Sequence, residues 1–152
     1  MDQIAILIPL LVGLTATLLT IVVHALALVT IIHFVRHERK VGRAGAGFAI
    51  DMAIVAVAVL LALAAHLIEI AIWAAVFAIC GEFPAIGAAV YHSAVNYTTL
   101  GYGDRDVVMS GTWRLLAPLE AADGMLMFGV STALIFAVIQ RLVQARFQDL
   151  RA

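Results

Sequence analysis

Three long apolar runs constrain what this chain can fold into. They extend over about residues 4–35, 48–80 and 113–143. Each exceeds the roughly 20 residues that an α-helix needs to cross a bilayer. Hydrophobic residues make up 64% of the chain and charged residues only 12%, which is about half the charged fraction of a soluble domain. We therefore predict an all-α integral membrane protein with three transmembrane helices.

A basic stretch that contains glycine separates the first run from the rest of the chain. Residues 36–47 hold four Lys or Arg residues and three glycines, which end a helix and permit a loop. The start, Met1-Asp2-Gln3, lacks the basic residues of a signal peptide, so we expect the first run to be kept as a membrane helix. We divide the chain into a first transmembrane helix with a basic cytoplasmic linker, residues 1–47, and a second region, residues 48–152.

The basic residues also predict the orientation in the membrane. Between the second and third runs lie only Arg105 and Arg114. The other seven of the nine Lys and Arg residues follow the first or the third run; they are Arg36, Arg39, Lys40, Arg43, Arg141, Arg146 and Arg151. Basic residues near the ends of spans favour the cytoplasmic side. Three spans place the linker and the tail on one side, so we expect the N-terminus outside and the C-terminus in the cytoplasm.

A short apolar stretch, residues 85–97, cannot span a bilayer and leads into a polar segment. That segment reads Thr98-Thr99-Leu100-Gly101-Tyr102-Gly103-Asp104. Non-helical backbone is tolerated at membrane depth only where it lines water or is buried in protein. Four copies around an axis would meet this condition, with carbonyl oxygens replacing the hydration shell of a cation. Gly101 and Gly103 permit backbone conformations that other residues resist, and Asp104 would attract cations to the outer mouth.

This segment resembles the selectivity filter of the potassium channel family, in its prokaryotic pore-domain type. The resemblance covers about residues 48–143. It implies an outer helix (48–80), a pore helix (85–97), an extended filter (98–104) and an inner helix (113–143) in a tetrameric potassium channel pore. K⁺ would then be bound by the backbone oxygens of Thr99, Leu100, Gly101, Tyr102 and Gly103. Leu100 stands where the family usually has Val or Ile, which changes the branching at that position.

The resemblance implies passive transport of K⁺ across a bacterial inner membrane. The expected partners are three further copies of the chain, the lipid bilayer and permeant K⁺, with no cofactor, no enzymatic reaction and no nucleic acid. Two alternatives stay open: a non-selective cation channel, and a sensory or accessory protein that uses the fold without conducting. Reversal potentials distinguish the first alternative, and flux into liposomes distinguishes the second.

Two pore-helix residues are expected to support the filter. Family members often carry a tryptophan here that bonds to the filter tyrosine, and the matching positions hold Tyr91 and His92. His92 and Asn96, one turn further on, are candidates to hold the Tyr102 hydroxyl. The alternative for His92 is a histidine that only packs at the interface.

An acidic residue of the third run, Glu120, is expected to lie behind the filter. We predict that it accepts hydrogen bonds from the pore helix, with Asn96 or Thr98 as donors. Exchange for Gln would then keep the tetramer and change selectivity or open probability. The alternative is a polar network that only fixes the register of the helices.

The third run resembles the inner helix of the family, in which a glycine is the gating hinge. Gly124 matches that hinge; packing of small residues between helices is the alternative. A stripe at helical spacing would line the cavity below the filter and then its cytoplasmic constriction. Its residues are Met125, Phe128, Thr132, Phe136 and Gln140, with Gly129 beside them.

Four further ionisable residues lie within the apolar runs: His24, His66, Glu69 and Asp123. Charge is costly in lipid, so each should face protein or water. His66 and Glu69 are three residues apart on one helical face and can pair, and Asp123 can reach His66. A metal site from His66, Glu69 and Asp123 is possible but less favoured than a polar network, and sensing of pH by the histidines is a further option.

Overall fold

The structure is a computed structural model that describes residues 3–101 and 109–148. These described residues form four helices in chain order: α1 (Gln3–Lys40), α2 (Phe48–Ile79), α3 (Ile86–Tyr97) and α4 (Leu116–Gln148). The described ranges contain no β-strand. The helices α1, α2 and α4 are long and apolar enough to cross a membrane, whereas α3, with 12 residues, is too short. The prediction of an all-α membrane protein with three spans and one short helix is confirmed.

The helices continue beyond the apolar runs that predicted them. α1 extends to Lys40 and α4 to Gln148, each about five residues past the last apolar residue of its run. The added residues include Arg, Lys, Glu and Gln, which are good helix formers. A span therefore ends where the apolar residues end, whereas the helix continues into the polar layer.

The linker between α1 and α2 is a compact turn. Gly42 and Gly45 have positive φ angles of 73° and 87°, which glycine adopts at little cost. Arg43 contacts Glu38 through Nε at 2.7 Å and through Nη2 at 2.8 Å, a two-point ion pair. The amide of Gly45 donates to the Asp51 carboxylate at 2.8 Å, which ties the linker to the first turn of α2.

The described chain divides into two compact units. Each of the long helices α1, α2 and α4 has one segment in the first unit and the rest in the second. The first, which we call the pore-helix unit, comprises Met1–Val23 and His66–Met127 and contains α3. Its core combines aromatic and small residues, including Trp73, Phe77 and Tyr97, all fully buried.

The second unit, which we call the basic unit, comprises His24–Ala65 and Phe128–Ala152. Its core is apolar and aliphatic, with Ile31 and Ala58 fully buried at its centre. Interlocking aliphatic side chains of this kind are typical of helices that pack along their length.

Candidate functional site

The short helix α3 is separated from α2 by a tight turn. Gly81 has a positive φ of 75°, and Pro84 prevents α2 from continuing. α3 then begins after Ala85, which has an extended backbone. The buried residues of α3, Ala89, Ser93 and Tyr97, are spaced four apart and share one face. That face determines how α3 is held.

The C-terminal residue of α3, Tyr97, is bound by two side chains of α2. Its hydroxyl donates a short hydrogen bond to Oε2 of Glu69. Nδ1 of His66 lies 3.1 Å from the same hydroxyl and 3.2 Å from Glu69 Oε2. All three side chains are buried. This tyrosine cluster (His66, Glu69 and Tyr97) fixes the end of α3 one residue before Thr98.

One turn earlier, Ser93 connects α3 to both α2 and α4. Its Oγ lies 2.8 Å from the carbonyl oxygen of Ile70 and forms a short contact with Oε1 of Glu120. A hydroxyl carries a single proton. Both contacts are hydrogen bonds only if Ser93 donates to Ile70 and the Glu120 carboxyl donates to Ser93. Glu120 is fully buried, and its Oε2 has no hydrogen-bond partner among the residues that the structure describes.

Gly124 of α4 lies against the end of α3. A Cβ atom added to Gly124 would be 2.0 Å from the carbonyl oxygen of Tyr97 and 2.9 Å from its carbonyl carbon. Both are backbone atoms, so only glycine fits unless α3 shifts. The sequence predicted Gly124 as a gating hinge, with close packing as the alternative. The contact favours close packing, and the hinge stays a prediction.

Asp123, next to Gly124, connects α4 to the first helix. Its Oδ2 accepts a hydrogen bond from Trp73 Nε1 at 2.9 Å and lies 2.7 Å from Thr20 Oγ1, which is also 2.8 Å from the carbonyl oxygen of Thr17. Thr20 belongs to α1, so this carboxylate joins α1, α2 and α4 within the pore-helix unit. A contact between Asp123 and His66 stays a prediction.

The segment Thr98–Gly101 follows α3 as a helix cap. The amide of Thr99 donates to the Asn96 carbonyl at 2.8 Å, and the amide of Leu100 donates to the Val95 carbonyl at 3.0 Å. This is the Schellman pattern, in which the last free carbonyls of a helix are satisfied. An extended backbone is therefore not seen in this part of the filter. Residues Tyr102, Gly103 and Asp104 lie outside the described residues, and their predicted roles stay predictions.

Thr99 has an unusual backbone. Its φ is +58°, the only positive φ among the described residues other than glycine, and Gly101 follows with +56°. The left-handed region costs a residue with a side chain about 1–2 kcal/mol, and β-branched residues such as Thr enter it rarely. Such strain is concentrated at functional sites.

The predicted support residues of α3 contact side chains of their own unit, and their predicted bond to Tyr102 stays a prediction, because Tyr102 lies outside the described residues. The His92 ring packs at 5.0 Å from that of Phe77 and at 4.7 Å from that of Phe83 (centroid distances). Its Nε2 lies 2.7 Å from Nδ2 of Asn96. Tyr91 is exposed.

Two residues were predicted as donors to Glu120, and Ser93 was not among them. The Asn96 side chain does lie close to the Glu120 carboxyl. The Thr98 hydroxyl donates to the Ala94 carbonyl at 2.7 Å. Asn96 therefore remains a candidate partner of Glu120, beside the serine that the structure adds.

The predicted cavity stripe of α4 is largely uncovered. Met125 and Phe136 are 62% and 59% exposed, and Thr132 and Gln140 are also exposed. A Cβ added to Gly129 would meet no heavy atom within 4 Å. These side chains are therefore not buried within a single copy of the chain, and their predicted place in a cavity stays a prediction.

A further contact joins the two sides of the filter segment. The amide of Ser110, after the filter, donates to Oε2 of Glu82 at 2.8 Å, and its hydroxyl donates to Oε1. Glu82 lies in the turn before α3. The chain before α3 and the chain after the filter are thereby held together.

Several of these residues escaped prediction from the sequence: Thr20, Trp73, Glu82, Ser93, Tyr97 and Ser110. A signal existed for two of them, because Ser93 follows Ala89 by four residues and Tyr97 follows Ser93 by four. Their partners lie 27 and 28 residues away along the chain, on other helices. Periodicity identifies a buried face but not what faces it.

Comparison with known proteins agrees with this arrangement. A family model described as "Ion channel" matches residues 65–141, about half of the chain, and includes the end of α2, α3, the filter segment and most of α4. Neither the curated proteins nor the solved structures that were searched gave a match. The chain belongs to this ion channel family, whose pore domain is of the potassium-channel type.

Family membership establishes the general activity. The protein is an integral membrane protein of the lipid bilayer, and ion channel activity is its function. The family is one of transporters of ions rather than of enzymes. All of α1 lies outside the matched residues, so Thr20 and its contact with Asp123 are additions to the matched part of the pore.

Proposed function

We propose that this protein is a K⁺-selective channel in which four copies surround one filter. The observation that carries the proposal is the position of Thr99-Leu100-Gly101-Tyr102-Gly103, directly after a 12-residue helix that is fixed by buried polar contacts. Selection between K⁺ and Na⁺ depends on the placement of carbonyl oxygens. A rigidly held α3 provides the starting point of that placement.

The backbone at the start of the filter supports this proposal. In a strand, successive carbonyls point to opposite sides. Thr99 and Gly101 have left-handed conformations, and Leu100 between them does not. This pattern interrupts the alternation. Carbonyls of adjacent residues can then face one side, as a row of cation ligands requires.

The dipole of α3 contributes to the same function. The C-terminal end of a helix carries a partial negative charge. Tyr97 is the last residue of α3, and the carbonyls of Val95 and Asn96 accept the filter amides. A dehydrated cation near this end would be stabilised.

α4 would then line the pore below the filter. Met125, Thr132 and Phe136 are exposed along it. In a tetramer, this face would surround the axis, and an apolar ring at Phe136 could close the pore by excluding water. The proposed membrane is the bacterial inner membrane, with the C-terminus in the cytoplasm.

Reconstitution of the full chain into liposomes tests the proposal. We expect K⁺ flux and a reversal potential that follows the K⁺ gradient when Na⁺ replaces K⁺ on one side. Gly101→Ala should abolish selective flux, because its φ of +56° is unfavourable for alanine. Gly111→Ala is the matched control, since Gly111 has no heavy atom within 4 Å of an added Cβ.

The alternatives give different results in the same experiment. Equal permeation of Na⁺ and K⁺ would identify a non-selective cation channel. Absence of flux from a correctly folded tetramer would identify a non-conducting protein. Cross-linking that stops at a dimer would contradict the fourfold assembly.

A further inference from the structure

A groove between α1 and α4 in the basic unit has an apolar floor and a basic rim. Its volume is about 200 Å³. On each helix, the second, third and fourth lining residues follow the first by three, four and seven positions, so each set forms one stripe along its helix. The stripes are Ile32, Val35, Arg36 and Arg39 on α1, and Leu134, Ala137, Val138 and Arg141 on α4. The residues that matter for the argument are Val35, Arg36 and Arg39 of α1, and Leu134, Val138 and Arg141 of α4.

The floor and the rim differ in character. Val35 and Val138 are buried and Leu134 is half-buried, so the floor is apolar. Arg36, Arg39 and Arg141 are exposed and form the rim. The two stripes change from apolar to basic in the same direction along the groove.

The charge of the rim is not neutralised by the acids of this unit. The described part of the basic unit contains two acidic residues, Glu38 and Asp51. Glu38 is paired with Arg43, and Asp51 accepts the amide of Gly45. Three guanidinium groups on the rim therefore remain available to an anion, and guanidinium groups bind phosphate well.

The position of the groove identifies the kind of anion. α1 and α4 are both candidate membrane spans, and the three arginines lie toward the polar end of their helices, beyond the apolar floor. Long basic side chains place their charge at the membrane interface. A free anion would not need the apolar floor, and a polar protein segment would not fill it, whereas a phospholipid has both parts.

We propose that this groove binds an anionic phospholipid. The headgroup phosphate would contact Arg36, Arg39 and Arg141, and an acyl chain would lie over Val35 and Val138. The site does not depend on which ion the channel passes. It gives the first helix a second role beside its contact with Asp123, as one wall of a lipid site.

Native mass spectrometry of the full chain tests the proposal. The protein is purified in detergent and supplied with phosphatidylglycerol or with phosphatidylcholine of the same acyl chains. We expect phosphatidylglycerol to be retained preferentially. The double variant Arg39→Gln/Arg141→Gln should weaken retention by about tenfold or more, since each basic residue near the surface contributes to the attraction. Arg114→Gln/Arg146→Gln removes the same charge elsewhere and should leave retention unchanged.

Two further variants separate lipid binding from general attraction of anions. Ala137 is an exposed residue that lines the groove, and Ala137→Trp would fill the apolar part while keeping every charge. We expect this variant to lose phosphatidylglycerol, and Arg39→Lys/Arg141→Lys to retain most of it. These two variants decide the question even if the glutamine variant does not fold.

Four results would overturn the proposal. The first is equal retention of phosphatidylcholine, and the second is equal loss in the control double variant. The third is full displacement by inorganic phosphate together with normal retention by Ala137→Trp, which would indicate a site for a free anion. A change of oligomeric state in Arg39→Gln/Arg141→Gln without bound lipid would indicate that a second copy of the chain occupies the groove, and would also overturn it.

Discussion

The two units solve the problem of packing helices in a membrane differently. In the pore-helix unit, buried carboxyl, hydroxyl and indole groups join the helices: Glu69 to Tyr97, Glu120 to Ser93, and Asp123 to Trp73 and Thr20. In the basic unit, the core is aliphatic, and the polar contacts of its described residues include the bond between His24 and Ser131 and those of the linker.

The difference follows from what each unit must fix. Lipid is as apolar as leucine, so packing in a membrane gains little from the hydrophobic effect, and aliphatic contacts have no strong direction. Hydrogen bonds are directional. α3 is short and precedes the filter that we propose, which it would hold in position, whereas long helices are aligned by contacts along their whole length. Polar contacts are therefore concentrated where orientation matters.

We expect the largest effect from an alanine exchange at Gly124 of the pore-helix unit, and a much smaller one at Gly129, the glycine of α4 in the basic unit. Gly124→Ala would place a Cβ 2.0 Å from the Tyr97 carbonyl oxygen, so α3 or α4 must move. Overpacking of this kind costs about 1–3 kcal/mol and occasionally more. We expect a lower midpoint of thermal unfolding, partial loss of the proposed tetramer and loss of the proposed K⁺-selective flux.

Gly129→Ala is the matched control on the same helix. It introduces a Cβ with no heavy atom within 4 Å, and alanine is favoured over glycine inside a helix by about 1 kcal/mol. Its unfolding midpoint should stay equal or rise. If Gly124→Ala kept its stability and only lowered the open probability, Gly124 would act as a hinge and the close-packing interpretation would be wrong.

The next effect concerns the tyrosine cluster. Tyr97→Phe removes the hydroxyl that donates to Glu69 and leaves that buried carboxyl with fewer donors. The loss of such a partner costs about 1–3 kcal/mol. Because Tyr97 ends α3 next to the filter, we also expect the K⁺/Na⁺ permeability ratio to fall, measured from reversal potentials.

Ile31→Val gives a comparable loss of stability in the basic unit. Ile31 is fully buried in the aliphatic core, and this exchange costs about 0.5–1.5 kcal/mol. Its permeability ratio should equal that of the unchanged protein. Equal loss of selectivity in both variants would mean that stability alone determines selectivity, and the contrast between the units would disappear.

The sequence predicted the elements of the fold better than the connections of the site. Three predominantly apolar runs of more than 20 residues predict spanning helices by their length alone. The short stretch before the predicted filter is too short to span, so it was predicted as a separate helix. The partner of Glu69 was harder to predict, because helical spacing favoured His66 three residues away, and the structure adds Tyr97 from α3.

Helical spacing failed for a physical reason. It shows which residues of one helix share a face, but the rotation of that face toward its neighbour is set by tertiary packing. Gly124 is a second example, since the sequence indicates that a glycine is special but not whether it bends or packs. The contact with the Tyr97 backbone favours packing.

A smaller effect tests the contact between Ser93 and Glu120. Glu120→Gln keeps a donor for Ser93 but adds a second N–H, for which the described contacts of Glu120 provide no acceptor. We expect the tetramer to persist, with stability lower by about 1 kcal/mol and a changed open probability or selectivity. Ser93→Ala removes the contacts to both Glu120 and Ile70 and should have the larger effect. An unchanged single-channel current in Glu120→Gln would count against a role of this residue behind the filter.

The smallest expected effect depends on pH and on His92. Burial lowers the pKa of His92 from its ordinary value of 6.5, and the charge of Glu82 opposes this only in part. The neutral ring can then accept a hydrogen bond from Nδ2 of Asn96 through Nε2, at 2.7 Å. Below pH 6.5, His92 of the unfolded chain binds a proton, whereas His92 of the folded chain stays neutral to a lower pH. The free energy of unfolding is therefore highest above pH 6.5 and decreases as the pH falls through that value.

Thermal unfolding at two pH values measures this contribution. The unfolding midpoint of the unchanged protein should fall between pH 7.5 and pH 5.5, and His92→Gln should fall by less, because glutamine does not titrate. His33 is an exposed histidine of the basic unit, and His33→Gln should behave like the unchanged protein. If His92→Gln and His33→Gln lost stability equally on acidification, the sensitivity to acid would not reside in the contacts of α3, and the pore-helix unit would not differ from the basic unit in this respect.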